Sequence, residues 1–137
     1  MNQQQPVILI TGAARRIGAF IAQIFHAKGY QVIIHYHRSA AAADGLCEQL
    51  NAIRQDSCAL VQNDLNDLEG LQKISDLAHS VGRLDVLVNN ASSFYPTPLA
   101  DCGDQQWNDL INSNLKGPFF LSQKLASLLT ASNGAIV

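Results

Sequence analysis

Two glycines and a pair of arginines follow the first apolar stretch of the chain. The β-branched run Val7–Ile10 leads into Thr11-Gly12-Ala13-Ala14-Arg15-Arg16-Ile17-Gly18, and a helical pattern follows. A strand, a glycine turn and a helix in this order are typical of a dinucleotide-binding unit, in which backbone N–H groups at the helix start face a pyrophosphate. Arg16 stands where the usual fingerprint has its middle glycine. The pattern predicts a phosphate site with a cation built into it.

The two glycines have separate duties in this prediction. Gly12 permits the tight turn that leaves the strand, and Gly18 lets the helix sit close to the sheet. The predicted cofactor contacts of the turn also include Arg15, Arg16 and Ile17. An ordinary strand–turn–helix connection could use two glycines for backbone reasons alone. The other motifs must therefore distinguish such a connection from a dinucleotide site.

The end of the second predicted strand indicates which cofactor the turn would serve. An acidic residue about 20 positions beyond the glycines usually holds the ribose 2′-hydroxyl of NAD. This chain has no carboxylate there; it has His37, Arg38 and Ser39, and the next acid is Asp44. A planar cation with several donors suits a 2′-phosphate, which a carboxylate would repel. We therefore expect NADPH rather than NADH, with Arg15 adding positive charge at the opposite lip.

Other polar residues near the strand ends leave alternatives open. Asp64 could accept a hydrogen bond from an adenine amino group, or it could be a turn residue or cap the next helix in competition with Asp67. His35 and His37 form an H-x-H pair, but no Cys, Asp or Glu stands nearby in sequence to complete a metal site, so we expect none. His26 and His79 lie on predicted helices and are expected to be surface or packing residues.

The loop after the fourth predicted strand combines amide, small and aromatic side chains. It runs Asn89-Asn90-Ala91-Ser92-Ser93-Phe94-Tyr95-Pro96-Thr97-Pro98-Leu99. Ligands of open α/β sheets bind at the carboxyl ends of the strands, where this loop should lie. Asn89 and Asn90 can tie adjacent backbones, Ala91 and Ser92 leave room for a flat ring, and Phe94 can stack on it. The alternative is a turn closed by a buried aromatic plug.

The composition and length of the chain exclude several classes. At 137 residues with 47% hydrophobic residues, the chain is large enough for one core and too short for two domains. A net charge of −2 gives no reason to expect nucleic acid or an anionic membrane as a partner. Three scattered cysteines without a C-x-x-C suit a reducing compartment, and the polar N-terminus lacks an apolar signal segment. A cytoplasmic protein is the expectation.

Hydrophobic periodicity gives an alternating order of strands and helices. The predicted strands are Val7–Ile10, Gln31–Tyr36, Ser57–Val61, Leu84–Val88 and the start of a fifth at Ala135–Val137. The first predicted helix has Ile17, Ile21, Ile24 and Phe25 at helical spacing and is closed by Gly29. The second, Ala40–Ile53, has Ala43, Leu46, Leu50 and Ile53 on one face. The third is Asp67–Val81, ended by Gly82, and a long fourth runs from near Asp104 to Leu129. Strict alternation favours a Rossmann-type, doubly wound parallel sheet with helices on both faces. Residues 1–137 are expected to form one such domain, truncated as strand five begins.

These motifs together resemble the short-chain dehydrogenase/reductases. The resemblance rests on Thr11-Gly12 with Gly18, on Asn89-Asn90-Ala91 and on Asn114-Leu115, which come in the family's order and spacing. Within that family, Thr11–Gly18, His35–Ser39 and Asn90–Leu99 resemble the pteridine reductases. Most family members have glycine after Asn-Asn-Ala, whereas this chain has Ser92.

The resemblance implies roles for particular residues. Hydride from NADPH would pass to a pterin such as dihydrobiopterin, or to dihydrofolate, with the ring sandwiched between the nicotinamide and Phe94. Ser92 would form a hydrogen bond with the pterin or the cofactor. Arg16 would reach the cofactor phosphates and the polar edge of the pterin. Asn90 and Ala91 would contact the cofactor and Asp64 the adenine. The resemblance also implies a homotetramer that is built partly through the long helix.

This chain differs from the family pattern at the catalytic acid. The resemblance assigns Asn114 to a water-linked proton path, but no Tyr-x-x-x-Lys occurs in this chain. Reduction also needs a proton, so we expect negligible reductase activity from these 137 residues alone. Two alternatives stay open: a short-chain reductase of a non-pterin carbonyl, and a non-catalytic NADPH-binding module.

Overall fold

Five parallel strands form one sheet in a computed structural model that describes residues 5–137. They are β1 (Val7–Ile10), β2 (Gln31–Tyr36), β3 (Cys58–Gln62), β4 (Val86–Val88) and β5 (Ala135–Ile136). Their order across the sheet is β3-β2-β1-β4-β5, so the chain crosses β1 when it passes from β3 to β4. This crossing creates the switch point above which ligands bind in such sheets. The residues before Gln5, which include most of the polar stretch invoked against a signal segment, lie outside the described residues.

Helices cover both faces of the sheet. They are α1 (Arg16–Ala27), α2 (Ala40–Ile53), α3 (Leu71–Val81), α4 (Asp104–Ile111) and α5 (Gly117–Ala131), with a π-helical turn at Asn112–Lys116 between the last two. All four residues of β1 are fully buried, because a central parallel strand is packed on both sides. Ile8 and Ile10 face the cluster that contains α1 and α2, and Val7 and Leu9 face the one that contains α3 and α5. The predicted doubly wound α/β fold is confirmed.

Several predicted boundaries move by a few residues. β3 begins at Cys58 rather than Ser57, and β4 begins at Val86 rather than Leu84. The third helix begins at Leu71, not at Asp67, because the Asp67 side chain accepts the Gly70 N–H and closes a turn before it. Gly82 ends that helix in the left-handed conformation, as expected from its position.

The apolar repeat of α1 is buried only in part, since Ile21 and Phe25 pack against the core but Ile17 and Ile24 do not. Ile17 is 72% exposed and Ile24 39% exposed, while the buried residues of the helix are Gly18, Ala22 and His26. The short turn after β1 brings the helix so close to the sheet that small residues are required at the contact. His26 is a packing residue: its Nε2 lies 2.7 Å from the buried Ser57 Oγ.

The predicted long helix is interrupted. Residues 112–116 form a π-helical turn, in which each N–H reaches one residue further back than in an α-helix. Pro118, at the start of α5, has no N–H to donate, and Gly117 lies close enough to the Leu65 carbonyl that a Cβ there would approach it to 2.6 Å. Such turns inside helices are frequent at functional sites.

The predicted buried face of α2 is confirmed except at its last residue. Ile53, expected on the buried face of α2, is 70% exposed, whereas Ala43, Leu46 and Leu50 are buried as predicted. The cysteines are unpaired thiols, of which Cys102 alone is exposed. Within residues 5–137, no helix combines the length and apolar character that crossing a membrane would need.

Candidate functional site

A cleft of about 640 Å³ lies over the carboxyl ends of the strands. Its walls come from the glycine turn after β1, the end of β2, the turn after β3, the loop after β4 and the α4 region. Predicted site residues that line it are Gly12, His37, Arg38, Ser39, Asp64, Ala91, Ser92 and Phe94. The sheet order therefore brings together residues that are as much as 82 positions apart, between Gly12 and Phe94.

Close backbone contacts explain both glycines of the turn. Gly12 has φ +63°, and a Cβ there would come within 3.0 Å of Ala91. Gly18 has no such dihedral requirement, but its Cβ would lie 2.6 Å from the Gly12 carbonyl oxygen and 2.8 Å from Ala13 Cα. These distances are well inside van der Waals contact, so α1 can reach this position only with glycine.

Asn90 ties the loop after β4 to the glycine turn. Its Nδ2 donates to the carbonyl oxygens of Thr11 at 2.9 Å and Gly12 at 3.2 Å. The Ala91 N–H in turn donates to Thr11 Oγ1 at 3.0 Å. The predicted backbone tie is confirmed for Asn90, while Asn89 donates instead to Ser122 on α5. Asn90 thus fixes the two walls of the cleft relative to each other.

Arg16 has a backbone conformation that L residues rarely adopt. Its φ is +53°, in the left-handed region that glycine enters without penalty. A side chain there costs about 1 kcal/mol. Arg15 precedes it as the N-cap of α1, and the first turn of that helix has no acidic residue. Both guanidinium groups therefore stand at the positive end of a helix, where an anion is the favoured partner.

His35 accepts hydrogen bonds from two backbone N–H groups of the glycine turn, those of Gly12 and Ala13. The Gly12 N–H donates to His35 Nδ1 at 3.2 Å, and the Ala13 N–H donates to the His35 carbonyl at 2.9 Å. The imidazole is buried, and burial lowers its pKa from 6.5 to about 4. The expected H-x-H pair is thus divided, since His37 lies beyond the end of β2 with its side chain 44% exposed.

The end of β2 presents the predicted basic group to the cleft. His37 Nε2 lies 3.7 Å from Asp64 Oδ2, across from the turn after β3. Gln62 donates to the His37 carbonyl at 2.9 Å and holds this part of the backbone. The guanidinium of Arg38 is exposed and, within residues 5–137, has no hydrogen bond or ion pair. It is a cation at the rim of the cleft that is available to a ligand.

Asp64 and Asp109 form an acidic corner of the cleft that the sequence motifs do not indicate. Asn66 Nδ2 donates to Asp109 Oδ1 at 3.0 Å, and the Asn66 N–H donates to Asp64 Oδ1 at 3.0 Å. Partial burial and the nearby Asp109 carboxylate raise the pKa of Tyr95. Ser113, one turn after Asp109, lines the same corner. Only the four-residue spacing of Asp109 and Ser113 on one helix face could have indicated it.

Asn114 holds the loop after β4 by both ends of its amide. Its Oδ1 accepts the Ser93 N–H at 3.0 Å, and its Nδ2 donates to the Ser93 carbonyl at 2.7 Å. Ser92 is exposed beside this clamp, and Phe94 is 88% exposed at the cleft, so the buried aromatic plug is excluded. The predicted site residues that do not line the cleft are Arg15, Arg16, Ile17, Gly18, Asn90 and Asn114.

The sheet order, the glycine turn at the switch point and the cleft above it define a Rossmann-type dinucleotide fold. The sequence profile of the family described as short chain dehydrogenase matches residues 6–137. The chain therefore belongs to the short-chain dehydrogenase/reductase family.

Individual relatives are reductases of different substrates. The chain is 42% identical to pteridine reductase 1 of Leishmania tarentolae, over 88% of this chain and 53% of that protein. It is 37% identical to the 3-oxoacyl-(acyl-carrier-protein) reductase FabG of Staphylococcus aureus, over 94% of this chain and 53% of that protein. The corresponding reductase of Synechocystis is 33% identical over 96% and 53%. The chain spans about half the length of the curated relatives it matches.

Proposed function

We propose that residues 1–137 form the cofactor-binding domain of an NADPH-dependent reductase that transfers hydride to a pterin. The observation that carries this proposal is the continuity of the cleft, which joins Arg38 at the end of β2 to Ser92 and Phe94 after β4. One end suits an anionic ribose phosphate, and the other suits a flat ring. Similarity to a pteridine reductase supports the pterin as substrate. Dihydropteridines such as dihydrobiopterin, and dihydrofolate, are the candidate substrates.

The cofactor end fits NADPH by charge and by donor type. Arg38 offers an unpaired guanidinium, and His37 and Ser39 stand beside it on the cleft wall. A planar guanidinium can bond two phosphate oxygens at once. Asp64, with one oxygen already accepting from Asn66, keeps acceptor capacity for an adenine amino group. Arg15 and Arg16 at the start of α1 would neutralise the pyrophosphate.

The substrate end is held by this chain's own residues. Bound NADPH would supply the hydride. Phe94 offers an exposed ring face, Ser92 a hydroxyl and Arg16 a cation for the polar edge of the pterin. The amide of Asn114 is engaged with Ser93, so its contribution to a proton path would come from its backbone carbonyl, to which Pro118 has no N–H to donate.

Two other functions differ from the pterin reductase in the ligands that they predict. A reductase of a non-pterin carbonyl is favoured by the similarity to 3-oxoacyl reductases and would use the same cofactor site. A non-catalytic NADPH-binding module would need only the cofactor end of the cleft, around His37, Arg38 and Ser39. Both the non-pterin reductase and the non-catalytic module would bind NADP⁺ but would have no affinity for pterins.

Calorimetric titration of the chain with NADP⁺ and NAD⁺ tests the cofactor. We expect NADP⁺ to bind at least about 10-fold more tightly, since charge-assisted bonds to the 2′-phosphate are absent with NAD⁺. Titration of the NADP⁺-saturated chain with dihydrobiopterin then tests the substrate. Equal affinity for the two nucleotides would contradict the NADPH proposal, and undetectable pterin binding would contradict the substrate.

Phe94→Ala should weaken pterin binding by about 10-fold and leave NADP⁺ binding within about twofold, because only the stacked ring is lost. The measurement is dihydrobiopterin affinity at saturating NADP⁺. Leu99→Ala is the matched control, since Leu99 is 96% exposed on the same loop but does not line the cleft. Equal pterin affinity in Phe94→Ala and Leu99→Ala would remove Phe94 from the substrate site.

We also propose that the protein is a cytoplasmic homo-oligomer, in which the α4–α5 region packs against a second copy. Trp107, Leu115 and Phe119 recur at spacings of eight and four and are each about 61% exposed. Phe119→Asp should shift the protein to monomer in sedimentation velocity, while the control Phe20→Asp on α1 should not. An unchanged sedimentation coefficient for Phe119→Asp would oppose this interface.

A further inference from the structure

We propose that His35 is a positioning residue for nucleotide binding. Its neutral imidazole holds the glycine turn and the turn after β3 at a fixed separation, and protonation of the ring releases the glycine turn. The inference rests on the proposed function for the identity of the nucleotide. Its geometric part rests only on contacts within the chain.

The imidazole connects three strands at the edge of the sheet where the cleft lies. Nδ1 is 3.2 Å from the Gly12 nitrogen after β1, and Nε2 is 3.0 Å from the Asn63 carbonyl oxygen after β3. His35 itself belongs to β2 and is 2% exposed. Both neighbours are backbone groups of segments that line or adjoin the cleft. A shift of the ring would therefore move two walls of the cleft.

The two partners admit a single tautomer. The Gly12 N–H can only donate, so Nδ1 must accept and carry no proton. The Asn63 carbonyl can only accept, so Nε2 must carry the proton and donate. An imidazolium would turn a second N–H toward the Gly12 N–H, and the contact would become repulsive. Protonation is therefore incompatible with the observed position of the glycine turn.

The surroundings of His35 favour the neutral ring at ordinary pH. Burial is the main cause that lowers its pKa to about 4, and the positive charge of His37, when protonated, acts in the same direction. The Asn63 carbonyl and the Asp64 carboxylate act in the opposite direction. No other charged group is among these influences within residues 5–137. The ring gains its proton only in acid.

This arrangement changes which N–H groups a nucleotide can use. The N–H groups of Gly12 and Ala13 both donate to His35, one to its ring and one to its carbonyl. Phosphate contacts from the turn must therefore begin after Ala13, next to Arg15 and Arg16. His35 orients the turn so that its later N–H groups and cations meet the ligand.

Nuclear magnetic resonance of the ¹⁵N-labelled imidazoles tests the tautomer directly. In the free chain we expect His35 to show a protonated Nε2, an unprotonated Nδ1 and a titration near pH 4. Exposed His79 on α3 serves as an internal reference away from the cleft. A protonated Nδ1, or a midpoint near the ordinary 6.5, would overturn the proposal. This measurement needs no ligand, so it stands apart from the proposed cofactor.

Saturating NADP⁺ tests the coupling between the ring and the ligand. If protonation releases the turn, the protonated chain binds NADP⁺ at least about 10-fold more weakly, and bound NADP⁺ must lower the His35 pKa by one unit or more. Simple attraction to the phosphates would instead raise this pKa. An unchanged or raised pKa therefore overturns the coupling, whereas failure of NADP⁺ to bind at all contradicts the proposed function.

The pH dependence of unfolding gives a comparison with a non-titrating side chain. Unfolded His35 binds protons near pH 6.5 and folded His35 near pH 4, so its stabilising contribution is complete above 6.5 and lost as pH falls to 4. We expect the folding equilibrium constant to fall about 100-fold between pH 7 and 4 through this group. His35→Asn keeps an oxygen acceptor for the Gly12 N–H and should lack this component. The same pH profile in His35→Asn would overturn the proposal.

Discussion

Gly18→Ala is expected to lower the free energy of unfolding by about 3 kcal/mol and to weaken NADP⁺ binding by about 100-fold. The new Cβ would lie 2.6 Å from the Gly12 carbonyl oxygen, 2.7 Å from Asn90 Nδ2 and 2.8 Å from Ala13 Cα. Two of these atoms belong to the backbone of the glycine turn, so no side-chain rotation can relieve the clash. The turn and α1 must separate, which strains the bonds from Asn90 to Thr11 and Gly12. Chemical denaturation and nucleotide titration measure the two effects.

Gly45→Ala is the matched control for this prediction. Gly45 lies within α2, and a Cβ there would meet no atom within 4 Å beyond its chain neighbours and the backbone of its own helix. Alanine in an exposed helix position should raise the free energy of unfolding by about 0.5–1 kcal/mol. NADP⁺ binding should not change. A tolerated Gly18→Ala with unaltered affinity would show that α1 can withdraw from the sheet without disturbing the cleft.

Arg38→Ala should weaken NADP⁺ binding by about 10- to 100-fold, because hydrogen bonds to charged groups are worth about 1.5–3 kcal/mol. NAD⁺ binding should change by less than about twofold, since the ribose 2′-hydroxyl has no charge for the guanidinium to meet. Arg38→Lys should fall between the two, because an ammonium keeps the charge but loses the planar pair of donors. Titration with both nucleotides at fixed salt measures the difference.

Lys73→Ala separates this local effect from a change of net charge. Lys73 is exposed on α3 and does not line the cleft. Its replacement by alanine removes one positive charge, as Arg38→Ala does. It should leave both affinities within about twofold. Stability should be unaffected in both variants, since neither side chain is buried. Equal losses for NADP⁺ and NAD⁺ in Arg38→Ala would assign Arg38 to a general electrostatic role and not to the 2′-phosphate.

The order of elements was predictable because β1 to β4 are short, mainly apolar runs separated by turn signals and helical patterns. β1, β2 and α2 have the bounds that periodicity predicts. The inward face of α1 was not predictable from periodicity, because Ile17, Ile21 and Ile24 form as good a stripe as Gly18, Ala22 and His26. The choice between them depends on how closely the turn holds the helix to the sheet. That distance is a tertiary property.

The candidate site was predictable where residue type fixes the chemistry. A cation, an imidazole and a hydroxyl in sequence at Arg38, His37 and Ser39 indicate an anion, and the structure brings all three to the cleft. The backbone contacts of His35 were hidden, because the H-x-H pattern at His35 and His37 gave no sign that the first imidazole is buried. The clamp of Asn114 on Ser93 spans 21 residues, and its geometry depends on a π-helical turn without a sequence signal of its own.

At Arg16 the backbone conformation favours glycine, whereas the proposed contact with the cofactor phosphates favours a cation. Its φ of +53° would suit glycine, which any arginine codon reaches by a change of one base. Such a change would relieve about 1 kcal/mol of local strain and remove a cation from the start of α1. If Arg16 binds the cofactor phosphates as proposed, stability and cofactor affinity oppose each other at this position. Screening a library for thermal stability alone would select Arg16→Gly and discard the charge that distinguishes this turn from the ordinary fingerprint.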